Sequence, residues 1–179
     1  MHLKYSSCRG MPVVEEGSAE EVGSFQEFLI HPDTGKIEGC FVAVPEFFQS
    51  QILFVPVTDI VRWGTRISIR SSKSLFPIEE HIRLLPLFLE GRPVLRQPIR
   101  TQSGKYIGRC MDIQFDTRYF MVEWLFPRRM LRWGTALPLS SIVEVRKDSI
   151  IIRDTSVREP MSNPVKEIPA LLKSIPAEA

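Results

Sequence analysis

The chain has 179 residues, of which 44% are apolar and 25% charged, so a packed core is within reach and disorder throughout is excluded. Its apolar runs, such as Leu84 to Leu89, are a few residues long and fall far short of the roughly 20 that a membrane-spanning helix needs. The net charge of +2 hides an asymmetry: residues 1–76 carry 7 basic against 9 acidic groups, residues 90–154 carry 12 against 7. The acidic half can pair with the basic half, or the basic half can face an anionic partner. The segment Met1 to Ser6 has no charged-then-apolar leader pattern, and a soluble cytoplasmic protein is expected. Cys8, Cys40 and Cys110 are odd in number and scattered, which argues for small buried hydrophobes rather than a disulfide framework or a clustered metal site.

In chain order, the first clear signal is a turn, His31-Pro32-Asp33-Thr34-Gly35, with proline to preset φ and glycine to accept a positive one. Ile67 and Ile69 then alternate with Arg66, Ser68 and Arg70, the period of a strand with one dry face. Residues 77–85, Pro-Ile-Glu-Glu-His-Ile-Arg-Leu-Leu, predict a short helix that starts at Pro77 and is stopped by Pro86. Ser103-Gly104 marks another reversal. Met111, Ile113 and Phe115 alternate with Asp112, Gln114 and Asp116, and Val143 and Val145 with Glu144 and Arg146, predicting two more half-buried strands. From Thr155, Pro160, Pro164, Pro169 and Pro176 break up a helically spaced apolar set (Val165, Ile168, Leu171, Leu172, Ile175). That tail either docks on the body or serves as a detachable partner-binding segment.

The chain also repeats itself. Gly10-Met11-Pro12-Val13 pairs with Gly91-Arg92-Pro93-Val94, Val22-Gly23 with Ile107-Gly108, and Asp33-Thr34 with Asp116-Thr117. Val55-Pro56-Val57-Thr58-Asp59-Ile60-Val61 pairs with Leu137-Pro138-Leu139-Ser140-Ser141-Ile142-Val143. Four landmarks in one order predict a duplicated unit. Arg62-Trp63-Gly64-Thr65 and Arg132-Trp133-Gly134-Thr135 are identical yet out of frame, following the apolar-Pro-apolar segment in one half and preceding it in the other. They are expected to occupy different structural positions.

These features, taken in order, resemble the PRC-barrel family, which includes the cytoplasmic barrel of the photosynthetic reaction-centre H subunit and the C-terminal half of the ribosome maturation factor RimM. The resemblance runs over residues 8–72 and 89–154. It implies a mainly β protein of two tandem small PRC-type β-barrels with a short helical connector and a Pro-rich C-terminal tail. The expected divisions are 1–76, a linker at 77–89, 90–154, and the tail at 155–179. The units are small, so they are expected to pack on each other. The second unit departs from the pattern at Phe115-Asp116-Thr117-Arg118-Tyr119, which lacks the Pro and Gly of the turn.

The resemblance implies binding or scaffolding and supplies no catalytic residue. The residues agree: His2, His31 and His81 share no metal-ligand spacing with each other or with the cysteines, and no nucleophile elbow, phosphate loop or dinucleotide fingerprint is present. Neither catalytic residue, cofactor nor metal is expected. Asp112 and Asp116 suit an acid/base pair only weakly against a wet strand face. The richest segment is Phe126-Pro127-Arg128-Arg129-Met130-Leu131-Arg132-Trp133, in a predicted hairpin loop. Its arginines can hold phosphates and its aromatics can stack or fill a pocket. The alternative is a solvated loop with Trp133 turned into the core. The candidate partner surface is therefore Arg128, Arg129, Arg132 and Trp133, with Phe47 and Phe48 from the matching region of the first half. The expected role is non-enzymatic protein interaction or assembly. Binding to RNA or a ribonucleoprotein, and peripheral association with a membrane or photosynthetic complex, are the alternatives.

Overall fold

A computed structural model describes residues 1–46 and 49–154. The predicted C-terminal tail lies outside the described residues. The protein is mainly β and forms two sheets. The first contains β2 (Pro12–Glu15), β3 (Glu21–Ile30), β4 (Ile37–Pro45), β5 (Ser50–Pro56), β6 (Ile60–Trp63) and β7 (Ile67–Ile69), in the order β5-β4-β3-β2-β7-β6. The second contains β8 (Pro98–Thr101), β9 (Tyr106–Asp116), β10 (Met121–Arg129), β11 (Arg132–Trp133), β12 (Leu137–Pro138), β13 (Ile142–Val145) and β14 (Ile150–Ile152), ordered β11-β10-β9-β8-β14-β13 with β12 also on β10. In both, the first strand pairs in parallel with the last, Val13 opposite Ile67 and Ile99 opposite Ile150.

The two sheets match down to their irregularities. Each has bulges at equivalent places: Val22 and Ile107, Gln26 and Met111, Glu38 and Glu123, Val61 and Val143. A bulge adds one residue to a strand and turns its neighbours to the other face. This corrects the simple alternation expected from the sequence. Ile113 and Phe115 face the core, but Met111 and Val143 are exposed and Asp112 is buried. Ile67 and Ile69 are fully buried, as their alternation predicts. Gly23 and Gly108 also correspond. At each, a Cβ would run into the backbone of the adjacent strand, Ala43 O at 2.5 Å and Arg128 O at 2.9 Å.

Two of the sequence pairings shift. Gly10 N donates to Phe25 O, and it is Arg96 N that makes the matching bond, to Cys110 O. The counterpart of Gly10-Met11-Pro12-Val13 is thus Arg96-Gln97-Pro98-Ile99, not residues 91–94. Asp33-Thr34 is likewise two residues out of step with Asp116-Thr117. Ile30 faces Ile37 across the first turn as Phe115 faces Val122 across the second, so Asp116 stands where His31 does. The Val55 and Leu137 segments align as predicted, opposite Cys40 and Leu125.

One hydrophobic core runs through both sheets. At its centre Phe28 meets Phe115, with ring centroids 4.9 Å apart, and Trp63 packs on Phe25, Phe28 and Phe115. The sheets also bond reciprocally. Ile37 N donates to Phe120 O and Val122 N to Gly35 O, each bond the counterpart of the other. This is the self-complementary pattern of a two-fold interface, here inside one chain.

The N-terminus crosses over. β1 (His2–Lys4) pairs with β9 of the second sheet, with His2 opposite Asp116. The helical turn α1 (Tyr5–Cys8) then leads back to β2. The connector differs from its prediction. It has a 3₁₀ turn at Ile78–Glu80 and a short helix, α2 (Leu85–Leu89), with Pro86 in its first turn. Pro86 starts a helix instead of stopping one, since a first-turn proline gives up no intrahelical bond. The connector covers the outer face of the first sheet, where Ile78, Leu84 and Leu87 pack with Leu29, Phe41 and Phe54.

Candidate partner surface

The segment rich in arginine forms a hairpin, though its loop is shorter than predicted. Arg128 pairs with Trp133 and Arg129 with Arg132, so only Met130 and Leu131 make the turn. Met130 takes φ +54°, the positive φ that a two-residue hairpin of this twist requires. Gly134 N donates to Pro127 O at 2.9 Å and closes the base. Met130 is 91% exposed and Leu131 85%. Trp133 is 57% exposed, which overturns the alternative that it fills the core. The register explains this, because Trp133 sits opposite Arg128, whose guanidinium lies 5.5 Å from the indole centroid. Arg129 lies 5.9 Å from the Tyr106 ring. The tip is therefore two bare aliphatic side chains with a tryptophan behind them and three arginines around them.

The identical tetrapeptide in the first half has the opposite fate. Trp63, on β6, is only 7% exposed. Phe47 and Phe48 lie outside the described residues.

Other candidates resolve into structure. Asp112 is buried and accepts from Ser6 N at 2.9 Å, Ser6 Oγ at 2.6 Å and Ile113 N at 3.0 Å. It holds α1 on β9 and is not a wet-face residue. Asp116 accepts from Arg118 N and Tyr119 N. Those bonds, Tyr119 foremost, hold its carboxyl below the ordinary range. Asp112 and Asp116 thus serve separate loops and form no acid/base pair. His81 packs edge-on to Phe54. All three cysteines are buried, and burial pushes the Cys110 thiol up to about 12. A cleft of about 260 Å³ opens between β3, α2 and residues 91–95, a little under the usual range for ligand pockets, and marks the seam of the connector.

The structure gathers one group that sequence reasoning missed. His2, Asp116 and Glu123 come from three adjacent strands, and their ligand atoms lie within 4.8 Å of one another. His2 stands 114 and 121 positions before the two carboxylates, a separation that leaves no signal in spacing.

Residues 2–76 match the model of the PRC-barrel domain. The first unit is thus similar to a PRC-barrel domain. The matched stretch ends at Phe76, just before the connector. No curated protein matches the chain. Among the described residues, no helix is long and apolar enough to cross a membrane.

Proposed function

We propose that the protein is a non-enzymatic, cytoplasmic interaction or assembly module made of two tandem PRC-barrel units, the second a diverged copy, which docks a protein partner through the β10–β11 hairpin. The observation that carries this reading is the exposure of Met130, Leu131 and Trp133 together at one strand end. Apolar and aromatic side chains left in water gain by being covered, and tryptophan and arginine are the residues that most often dominate binding energy. The matched bulges and the reciprocal bonds between the sheets support the duplication.

The test compares the wild-type chain with Leu131→Ser and Trp133→Ala as baits in the native host. A partner protein retained by wild type at about 0.5 M salt and lost by both variants supports the reading. Retention by both variants overturns it. The second reading, RNA or a ribonucleoprotein, is favoured by the excess of basic groups in residues 90–154 and by Arg128, Arg129 and Arg132. It requires affinity that falls steeply with salt and disappears when those three arginines are replaced by alanine. Association with a membrane complex would instead appear as flotation with acidic vesicles but not neutral ones.

A further inference from the structure

We propose that His2, Asp116 and Glu123 form a binding site for a divalent transition-metal ion of the zinc type, which locks the crossing strand β1 onto the second sheet. The donor set is one imidazole and two carboxylates, a combination that zinc accepts readily. His2 Nδ1 lies 2.8 Å from Glu123 Oε2 and 3.9 Å from Asp116 Oδ2. Ligands bound at zinc distances and tetrahedral angles sit about 3.4 Å apart, between those two values. The ligand atoms of all three residues lie within 4.8 Å of one another, so side-chain rotation alone is asked to bring them onto one ion.

The backbone holds the carboxylates in place. Asp116 Oδ1 is occupied by the amides of Arg118 and Tyr119, which leaves Oδ2 facing His2. Glu123 is the bulged residue between Val122 and Trp124 on β10, and bulges re-aim a side chain out of the regular alternation. Gln114 Nε2 donates to Glu123 Oε2 at 3.4 Å and steadies it from the strand between. The equivalent bulged residue of the first unit is Glu38, but there it is bound by Lys36 at 3.0 Å, and His31 replaces Asp116. The second unit alone combines a histidine with two carboxylates at this place, because only it receives β1. The amino group of Met1, 3.8 Å from Asp116 Oδ2, must yield that oxygen to the ion.

Occupancy would have a mechanical result. β1 is three residues long and is the crossing segment by which the front of the first unit is tied to the second. An ion shared by β1, β9 and β10 fastens it. The experiment is calorimetric titration of the full chain, free of any polyhistidine tag, with zinc chloride alone, beside His2→Ala and Glu123→Gln. Both positions are on the surface, so neither change threatens the fold. One ion per chain is expected, with affinity falling about tenfold or more in each variant. Hydrogen exchange with and without zinc gives the second readout, with slower exchange at the β1 amides on binding. Absence of a saturable one-to-one signal overturns the site. Equal affinity in both variants does the same, since the ion then sits elsewhere. Binding at these residues without slowed exchange in β1 overturns the lock.

Discussion

In the first unit, Gly10 and Gly35 take φ of +71° and +73°. In the second, the same two positions are Arg96 at +64° and Phe120 at +50°. The hydrogen bonds around them are alike, so the backbone path is kept while the residue best suited to it is lost. A side chain in this left-handed region costs about 1–2 kcal/mol. The second unit therefore tolerates strain that the first avoids, and packing across the shared core must offset it. The outer faces differ in the opposite sense. Phe54 lies over Gly39, so close that a Cβ there would strike its ring, and the connector covers both. In the second unit the position of Gly39 is held by Trp124, which is 39% exposed. Among the described residues, one unit has its outer face covered by the connector, and the other leaves Trp124 exposed.

The sharpest way to test that contrast is to truncate one aromatic on each face. Phe54→Ala should cost about 3–5 kcal/mol, because the side chain is fully buried between Gly39 and the connector. Trp124→Ala should stay within about 1 kcal/mol in the isolated protein. Urea unfolding followed by circular dichroism measures both. A loss at Trp124 equal to that at Phe54 would mean that the second face is already closed within the chain, and the contrast would fail.

The left-handed positions give a smaller effect with opposite signs. A Cβ on Gly10 meets nothing within 4 Å, so Gly10→Ala isolates the conformational cost, and about 1–2 kcal/mol of destabilisation is expected. Arg96→Gly relieves the same strain but frees the unfolded chain, which leaves a gain of up to about 1 kcal/mol. Two shifts of the same sign in the unfolding midpoint would show that the two turns are not equivalent.

These turns also explain how far the fold could be read in advance. Gly23, Gly108 and the Val55 and Leu137 segments matched correctly because close backbone approach and a Pro-led 3₁₀ turn restrict which residues can stand there. Gly91 misled because it is a real glycine of positive φ that happens to precede a Pro-Val pair, while the true counterpart, Arg96, carries no trace of its geometry in its identity. The shift between Asp33 and Asp116 has a similar origin. His31 Nδ1 and Asp116 Oδ1 each accept the amide two residues on, and different side chains do the same work. For the candidate surface, composition marked the arginine and aromatic segment, but burial was not readable locally. Trp63 and Trp133 sit in identical tetrapeptides, and only the partner strand decides that one faces the core and the other water. Grouping His2 with Asp116 and Glu123 depends on a strand crossing between units, which no local pattern encodes.

The smallest expected effect concerns what joins the halves. Arg92, at the end of the connector, grips Asp33 of the first unit with two bonds of 2.7 and 2.9 Å and also reaches Val145 O of the second. The Arg92 guanidinium holds the Asp33 carboxyl below its ordinary value of 3.8. A carboxyl depressed on folding adds stability above its unfolded pKa and loses it as pH falls through the folded value. The pair is open to solvent, so its contribution is modest. Glu15, Asp116 and Asp154 are depressed as well and give an acid-side decline that any variant of Arg92 retains. The informative quantity is thus the difference between wild type and Arg92→Gln in urea midpoints taken from pH 7 down to pH 2.5. It should be constant above about pH 5 and shrink below pH 4 as Asp33 takes up its proton. A difference that persists undiminished to pH 2.5 would mean that Arg92 acts through Val145 and its own packing, and that charge is not what clasps the two units at this seam.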